Sequence, residues 1–517
     1  MAHNTEELIN KIGSFGRYQV RLFLVASFMV FITTNVLMVM TFSTAEPPWR
    51  CTANATSCKL NGTFKPGDKN YEYRCDIPRS DWEFAVDGNF DSIVTEWDLV
   101  CKTSTYVSHV NSLAFLFWML GSIVGSILSD KVGRKKVTFP FFMIVAVSGL
   151  ISAIAKHYWV FAVFRSLVGI GLGGAGTTAF VLVLEYVGAR HRGAVGIGIW
   201  FAFVFAMCFL ALIAYLLPAW RLLTIVTSAP GLIGFVFWWF TPESLRWLLM
   251  KGKSTEAKKT LQKAASVNGK LLVDEDFMLI QEDNDERNIK LGHIGDLFTS
   301  RLVAYRTLVS WYCWCVCGMV YYGISLSTPG IGGNMYLNFF ISAVCECVGM
   351  IIGIFCLDKF GRKKSIAASL WIGGVAMVAA ALLSYYDDGS DGYLAGKILM
   401  TMVIGKFFIT IAFDGIFVHT SELFPTVIRN TALGTSSSSA RIGSAASPYI
   451  VYSQRVHPLM PFGIMAINAL ISGILFLSLP ETLNRVMPDT VNQNTSACTE
   501  SPDGGKDVND DKIGTDL

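Results

Sequence analysis

The chain has 517 residues and a formal net charge of +3; 52% of its residues are hydrophobic and only 16% are charged. Soluble domains carry roughly a quarter charged residues, so this balance excludes an ordinary soluble protein; the small net charge says little in itself, and no nucleic-acid partner is expected. Apolar stretches recur throughout, each close to the roughly 20 residues that cross a bilayer as a helix.

Twelve such stretches are read, at 22–43, 106–128, 137–155, 158–181, 195–217, 222–241, 304–326, 335–357, 366–384, 396–419, 431–453 and 459–479. The first has no small-residue cleavage site behind it and reads as a retained helix. The long segment between spans one and two (44–105) holds Cys51, Cys58, Cys75 and Cys101 and the acceptor triplets at Asn54 and Asn61. Two disulfides and N-glycans in an outside loop fit both facts, with the pairing left open. Arg134, Lys135 and Lys136 follow span two, Arg190 and Arg192 follow span four, and Lys359, Arg362, Lys363 and Lys364 follow span eight. The stretch "YYDDGSDGYLAG" between spans nine and ten has acids and no base. The positive-inside bias therefore places both termini in the cytosol of a multi-pass protein.

Two fragments echo each other. "GSILSDKVGRKKV" ends span two and "GIFCLDKFGRKKS" ends span eight, and Asp130 and Asp358, Gly133 and Gly361, and Arg134 and Arg362 each lie 228 residues apart. Pro242-Glu243-Ser244 after span six returns as Pro480-Glu481-Thr482 after span twelve. Glu185…Arg190 after span four returns as Glu422…Arg429 after span ten. The expected fold is all-α: two six-helix halves (1–241 and 304–485), related by an axis along the membrane normal because six is even. A polar linker (242–303) joins them; it contains a short helix that Asn268-Gly269 would end. A tail (486–517) is expected to be disordered.

Asp130 and Asp358 can each pair with the arginine four residues on, and Gly133 and Gly361 permit the tight turn between. This doubled motif resembles the signature of the major facilitator superfamily, in which it latches the cytosolic gate. The resemblance implies gating roles for Asp130, Gly133, Arg134, Asp358, Gly361 and Arg362, supported by Glu185, Arg190, Glu422 and Arg429. "TEWDLVC", "PESLRWLL", "YYGISLSTPGIGGNMYLNFF" and "SELFPTVIRN", with the Cys-rich outer loop, resemble the organic cation, anion and carnitine transporters of solute carrier family 22. That resemblance implies a plasma-membrane secondary transporter of small organic ions. A sugar porter of the same superfamily and a transport-dead receptor or scaffold are the rival readings.

Ionisable side chains inside spans are costly, so each is a candidate for function. Arg165 precedes a glycine run in span four and reads as structural. Glu346, Lys406, Asp414 and Arg441 are candidates for substrate binding, with Asp414 roughly 12 Å from Lys406 along a helix. Arg441 lies in "SARIGSAASPY", where the resemblance implies the arginine of the anion and carnitine branches, and a guanidinium grips a carboxylate by two parallel hydrogen bonds. Glu346 with Asp414 could meet an ammonium while Arg441 meets a carboxylate, so a carnitine-type zwitterion or an organic cation is the expected substrate, with an organic anion as the alternative. Trp311, Trp314, Gly318, Tyr321 and Ser325 follow one helical face of span seven; with Tyr322, these aromatics could cage a cation or simply pack. Trp200 and Asn35 are further candidates from spans five and one. No metal, cofactor or catalytic set is expected: "CWCVC" does not share a helix face, and "GKS" at 252–254 lacks the glycine of a phosphate loop. The final Thr515-Asp516-Leu517 could offer a carboxylate to a scaffold domain.

Overall fold

The structure is a computed structural model; it describes residues 2–66, 68, 70–86, 90–272 and 293–483. The tail and most of the second part of the linker lie outside these residues. Among the described residues, ten helices are long and apolar enough to cross a membrane, and Met460–Phe476 is a shorter apolar one. The twelfth, Thr426–Tyr452, is as long as the others but less apolar.

The first half contains α1 (Arg17–Met38), α2 (Thr105–Val132), α3 (Arg134–Ala153), α4 (Tyr158–Leu184), α5 (Ala189–Leu216) and α6 (Trp220–Trp238). The second contains α7 (Arg301–Ser327), α8 (Met335–Phe360), α9 (Arg362–Tyr385), α10 (Asp391–Leu423), α11 (Thr426–Tyr452) and α12 (Met460–Phe476). The same pairings recur: α2–α4 and α8–α10, α1–α5 and α7–α11, α3–α6 and α9–α12. The halves meet through α2–α11 and α5–α8, which exchange under the same pseudo-symmetry. We call the face with the long loop the loop face, and the face with the repeated Gly-Arg-Lys-Lys segments the motif face.

Two spans depart from plain helix. Residues expected as one helix at 222–241 are an α-helix only to Ser228; from Ala229 to Trp238 the backbone tightens to 3-10, with Pro230 at its start unable to donate a hydrogen bond. In α10, Leu399–Gly405 forms a π-helical segment that ends immediately before Lys406. Such insertions are frequent at functional sites.

The polar helix α11 is accommodated by its neighbours. Pro448 has no N–H for the Ser444 carbonyl, and the Ser447 hydroxyl donates there instead at 2.7 Å. Ser438 and Ser444 donate to carbonyls one turn back, and Ser439 donates to the Trp311 carbonyl at 2.6 Å. Small residues let α11 lie against α7: a side chain on Gly443 would meet the Cys315 carbonyl, and one on Gly318 would lie 2.3 Å from the Ala440 carbonyl. Close backbone approach of this kind is how membrane helices associate without a hydrophobic driving force. In the first half, Gly121 and Gly125 give α2 the same intimacy with Ile170 and Gly174 of α4.

The loop between α1 and α2 folds as a cap. β1 (Trp49–Cys51) pairs with β2 (Thr63–Phe64) and β3 (Trp82–Phe84). Disulfides join Cys51 to Cys58 and Cys75 to Cys101. Trp97 packs on Tyr158, Phe161 and Trp220, and Glu96 pairs with Arg221, so the cap belongs to the first half. In the linker, the helix Ser254–Asn268 ends as expected at Gly269, whose φ of +68° only glycine adopts freely.

Candidate functional site

The motif face carries two copies of one clamp. Arg134 pairs with Asp130 at 2.9 Å and with Glu185 at 3.6 Å; Arg362 pairs with Asp358 at 2.9 Å and with Glu422 at 3.4 Å. Each arginine also donates to the carbonyl five residues before it, that of Ser129 or Leu357. Sequence reading left the acids of the Pro-Glu-Ser/Thr echo without a role. The Glu243 carboxylate accepts the Lys135 backbone N–H at 3.0 Å, and Glu481 accepts those of Arg362 and Lys363 at 2.9 and 3.1 Å. Ser244 and Thr482 donate to Glu185 and Glu422. Burial pushes the Glu481 carboxyl up, but the N–H groups of Leu483, Thr482, Arg362 and Lys363 outweigh it and hold it below the usual carboxylate range.

Gly133 and Gly361 have φ of +117° and +91°, and a side chain there would lie 2.3 or 2.6 Å from Glu243 or Glu481. The glycines thus serve both the turn and the approach of the acid. Of the expected supports, Arg190 lies outside the clamp. Arg190 is exposed and makes no ion pair among the described residues; it lies at the start of α5, and Arg192 turns inward to Glu6 at 2.5 Å instead. Arg429 donates to the Phe424 carbonyl at 3.4 Å, while Glu422 is taken by Arg362 and Thr482.

Midway between the faces, four candidate residues come together and divide into two groups. Lys406 and Glu346 are buried and paired at 3.2 Å. The Tyr321 hydroxyl donates to the Glu346 carboxylate, 2.8 and 2.9 Å from its two oxygens. The Lys406 ammonium donates to Ser325 at 3.0 Å and sits 3.3 Å from the centre of the Tyr321 ring. Both charges are therefore spent on each other. Arg441 is different. Its guanidinium lies 3.8 Å from the Trp118 ring centre, and Nη1 donates to the Tyr322 hydroxyl at 3.5 Å. Among the described residues it has no carboxylate partner. Asp414, one position beyond Phe413, likewise has no ion pair or side-chain hydrogen bond among them. The Phe413 ring lies 5.9 Å from Tyr321 and 5.8 Å from Trp314.

The span-seven stripe splits. Trp314, Tyr321 and Ser325 turn to α8 and α10, with the Trp314 indole donating to Thr420 at 2.9 Å, whereas Trp311 and Gly318 face α11. Asn35 is buried and donates to its own helix at Phe31; Trp200 is 44% exposed and packs on Phe203; neither joins the cluster among the described residues. Arg165 is buried and donates to the Val36 carbonyl at 2.8 Å, in keeping with its structural reading. Trp118 was not legible beforehand, since a tryptophan in an apolar run carries no signal that an arginine will stack on it.

The halves are closed at the loop face. Ser104 meets Tyr452 at 3.1 Å, Ser108 donates to the Pro448 carbonyl at 3.2 Å, and Ser112 donates to that of Ala445 at 2.6 Å. Glu46 holds Arg74 of the cap at 3.0 Å and also Arg455 of the second half.

Two pseudo-symmetric six-helix halves, closed at one face around a charged midplane, define a membrane transporter of the alternating-access class. The sugar (and other) transporter family matches residues 53–489. "Organic cation/carnitine transporter 4" of Arabidopsis thaliana is 34% identical over 496 residues, 94% of this chain and 90% of that protein. "Organic cation transporter protein" of Drosophila melanogaster is 31% identical over 94% of this chain and 93% of that one. "Organic cation/carnitine transporter 2" of Mus musculus is 34% identical over 80% and 73%. The xylose transporter XylE of E. coli, in an inward open conformation, shares the fold with a TM-score of 0.65 at 16% identity, over 93% of this chain and all of that one. The chain belongs to the major facilitator superfamily and, within it, to the organic cation, anion and carnitine transporters of solute carrier family 22.

Proposed function

We propose that this transporter carries a small organic zwitterion of the carnitine type, or a related organic cation, across the plasma membrane. The observation that carries the reading is the division of charge at the midplane. Of the four charged candidates at the midplane, Glu346 and Lys406 neutralise each other, which leaves the Arg441 guanidinium and the Asp414 carboxylate without an opposite charge among the described residues. An ion in a bilayer interior needs a partner, and a substrate bearing both signs supplies two. The carboxylate meets Arg441, beside Tyr322 and Trp118. The ammonium meets Asp414 next to the aromatic wall of Phe413, Trp314 and Tyr321. Names of the relatives, which include carnitine and organic cations, agree with this reading.

The loop face is outside and the motif face, with both termini, is cytosolic, as the basic clusters indicate. Asn54 and Asn61 are exposed on the cap, where N-glycans would be accommodated. A shift in electrophoretic mobility on N-glycosidase treatment would be seen in wild type and lost in the Asn54→Gln/Asn61→Gln variant.

The substrate reading is tested by uptake of labelled carnitine and choline into cells. Arg441→Ala removes a charged hydrogen bond of about 1.5–3 kcal/mol and should raise the KM for carnitine roughly 10- to 100-fold, with little effect on choline. Asp414→Asn should weaken both. Carnitine uptake unchanged in Arg441→Ala would refute the role of Arg441.

A further inference from the structure

We infer that Trp118 is a positioning residue that couples the Arg441 anion subsite to closure of the loop face. The inference rests on the reading of Arg441 as the group that meets the substrate carboxylate. Along α2 and α11 the contacts between halves form an antiparallel ladder: Ser104 with Tyr452, Ser108 with Pro448, Ser112 with Ala445. Trp118 with Arg441 is its next rung. Trp118 also touches Tyr322, the hydrogen-bond partner of Arg441, with ring centres 6.4 Å apart, and Phe115 packs on Tyr322 at 4.6 Å. Towards the motif face, the α2 side chains Leu120, Ile123, Val124 and Ile127 are apolar and offer α11 no hydrogen bond. The ladder ends where the subsite begins.

Each side of this rung is fixed to its own half. A side chain on Gly173 of α4 would lie 2.2 Å from the Trp118 carbonyl, so α2 abuts α4 at that residue. Arg441 sits between Ala440 and Gly443, whose positions are set by equally close contact with Gly318 and Cys315 of α7. When the halves part at the loop face, the indole travels with the first and the guanidinium with the second, and the stack breaks. Arg441 is then oriented by Tyr322 alone. The subsite thus binds a carboxylate better in the loop-closed state, and by linkage a carboxylate ligand favours that state. A cation without a carboxylate gains nothing from this rung.

The experiment combines kinetics with a reporter of closure. Trp118→Ala should raise the KM for carnitine about 2- to 30-fold, the range of a cation–π contact, leave that for choline unchanged, and be partly rescued by Trp118→Phe. An equal rise for both substrates, or a fall in kcat alone, would mean that Trp118 only packs. The Ser112→Cys/Ala445→Cys pair is oxidised in membranes, and its disulfide peptide is quantified by mass spectrometry. Carnitine should raise the yield in an otherwise unaltered chain, and adding Trp118→Ala should abolish that rise and lower the ligand-free yield about twofold or more. A ligand-free yield that Trp118→Ala leaves unchanged overturns the coupling. This last measurement needs no substrate, so it decides the coupling even if Arg441→Ala shows that no carboxylate is bound.

Discussion

At the motif face, Arg134 and Arg362 hold the same partners in the same order: an aspartate one turn back, a glutamate from the helix ending alongside, and a neighbouring turn whose N–H groups cap a third acid. In the bilayer interior the halves diverge. The second half brings Glu346, Lys406, Asp414 and Arg441, whereas the first brings Arg165, tied to a backbone carbonyl. The clamps constrain how helices join at a turn, a task both halves share. On the proposed function, substrate chemistry requires only one set of charges between them, and a second set would bury further ions at a cost of several kcal/mol each.

The largest expected effect lies on the divergent side of this comparison. Glu346→Gln leaves the Lys406 ammonium buried without its partner, which should cost about 3–5 kcal/mol. Thermal unfolding of the purified protein would show it, and Glu346→Gln/Lys406→Met should recover most of the loss. A single variant as stable as wild type would show that the pair does not hold α8 to α10. On the shared side, Gly133→Ala and Gly361→Ala each force a residue with a side chain into a left-handed conformation against a carboxylate. Each should cost about 1–3 kcal/mol. Similar losses in the two variants support equivalent clamps; tolerance at one site only would break the equivalence.

The cap adds a contact that the pseudo-symmetry does not repeat. Burial pushes the Glu46 carboxyl up, but Arg455 and Arg74 outweigh it, so its pKa lies below the ordinary value. A lowered carboxylate pKa contributes stability that is present above the unfolded value and is lost as pH falls through the folded one. The stability that Glu46 contributes, read as the difference in melting temperature between wild type and Glu46→Gln, should therefore hold steady from pH 7 to 5 and weaken only below about 4. Weakening near pH 6 would point to a different group. The smallest effect belongs to Asp130→Asn and Asp358→Asn. These side chains are 72% and 67% exposed, and such pairs contribute less than ~1 kcal/mol. Glu185→Gln and Glu422→Gln, which remove the less exposed partners, should cost more in the same unfolding measurement.

Much of this architecture was legible in advance. Spans are read from hydropathy because every backbone group in a bilayer must bond within its own helix. The duplication showed in residues 228 apart because a turn with φ near +100° favours glycine in both copies. Even serine-rich α11 could be placed, since its neighbours in sequence bound it. Who pairs with whom was not legible. Glu346 could have answered Arg441 as readily as Lys406, and only the approach of α8 to α10 decides that it does not. The span-seven stripe looked like one face, yet it splits because α7 lies between two partners. The acids of the Pro-Glu-Ser/Thr echo were visible, but their role depends on a turn more than a hundred residues away.

By itself the sequence determined what is written in local terms: helix lengths, turn glycines, the doubled clamp and the presence of unusual charges in the membrane. Tertiary structure alone decided which of those charges are spent and which remain. In a medium of low dielectric constant, a few ångströms between side chains distant in sequence separate a neutralised ion from one left without an opposite charge.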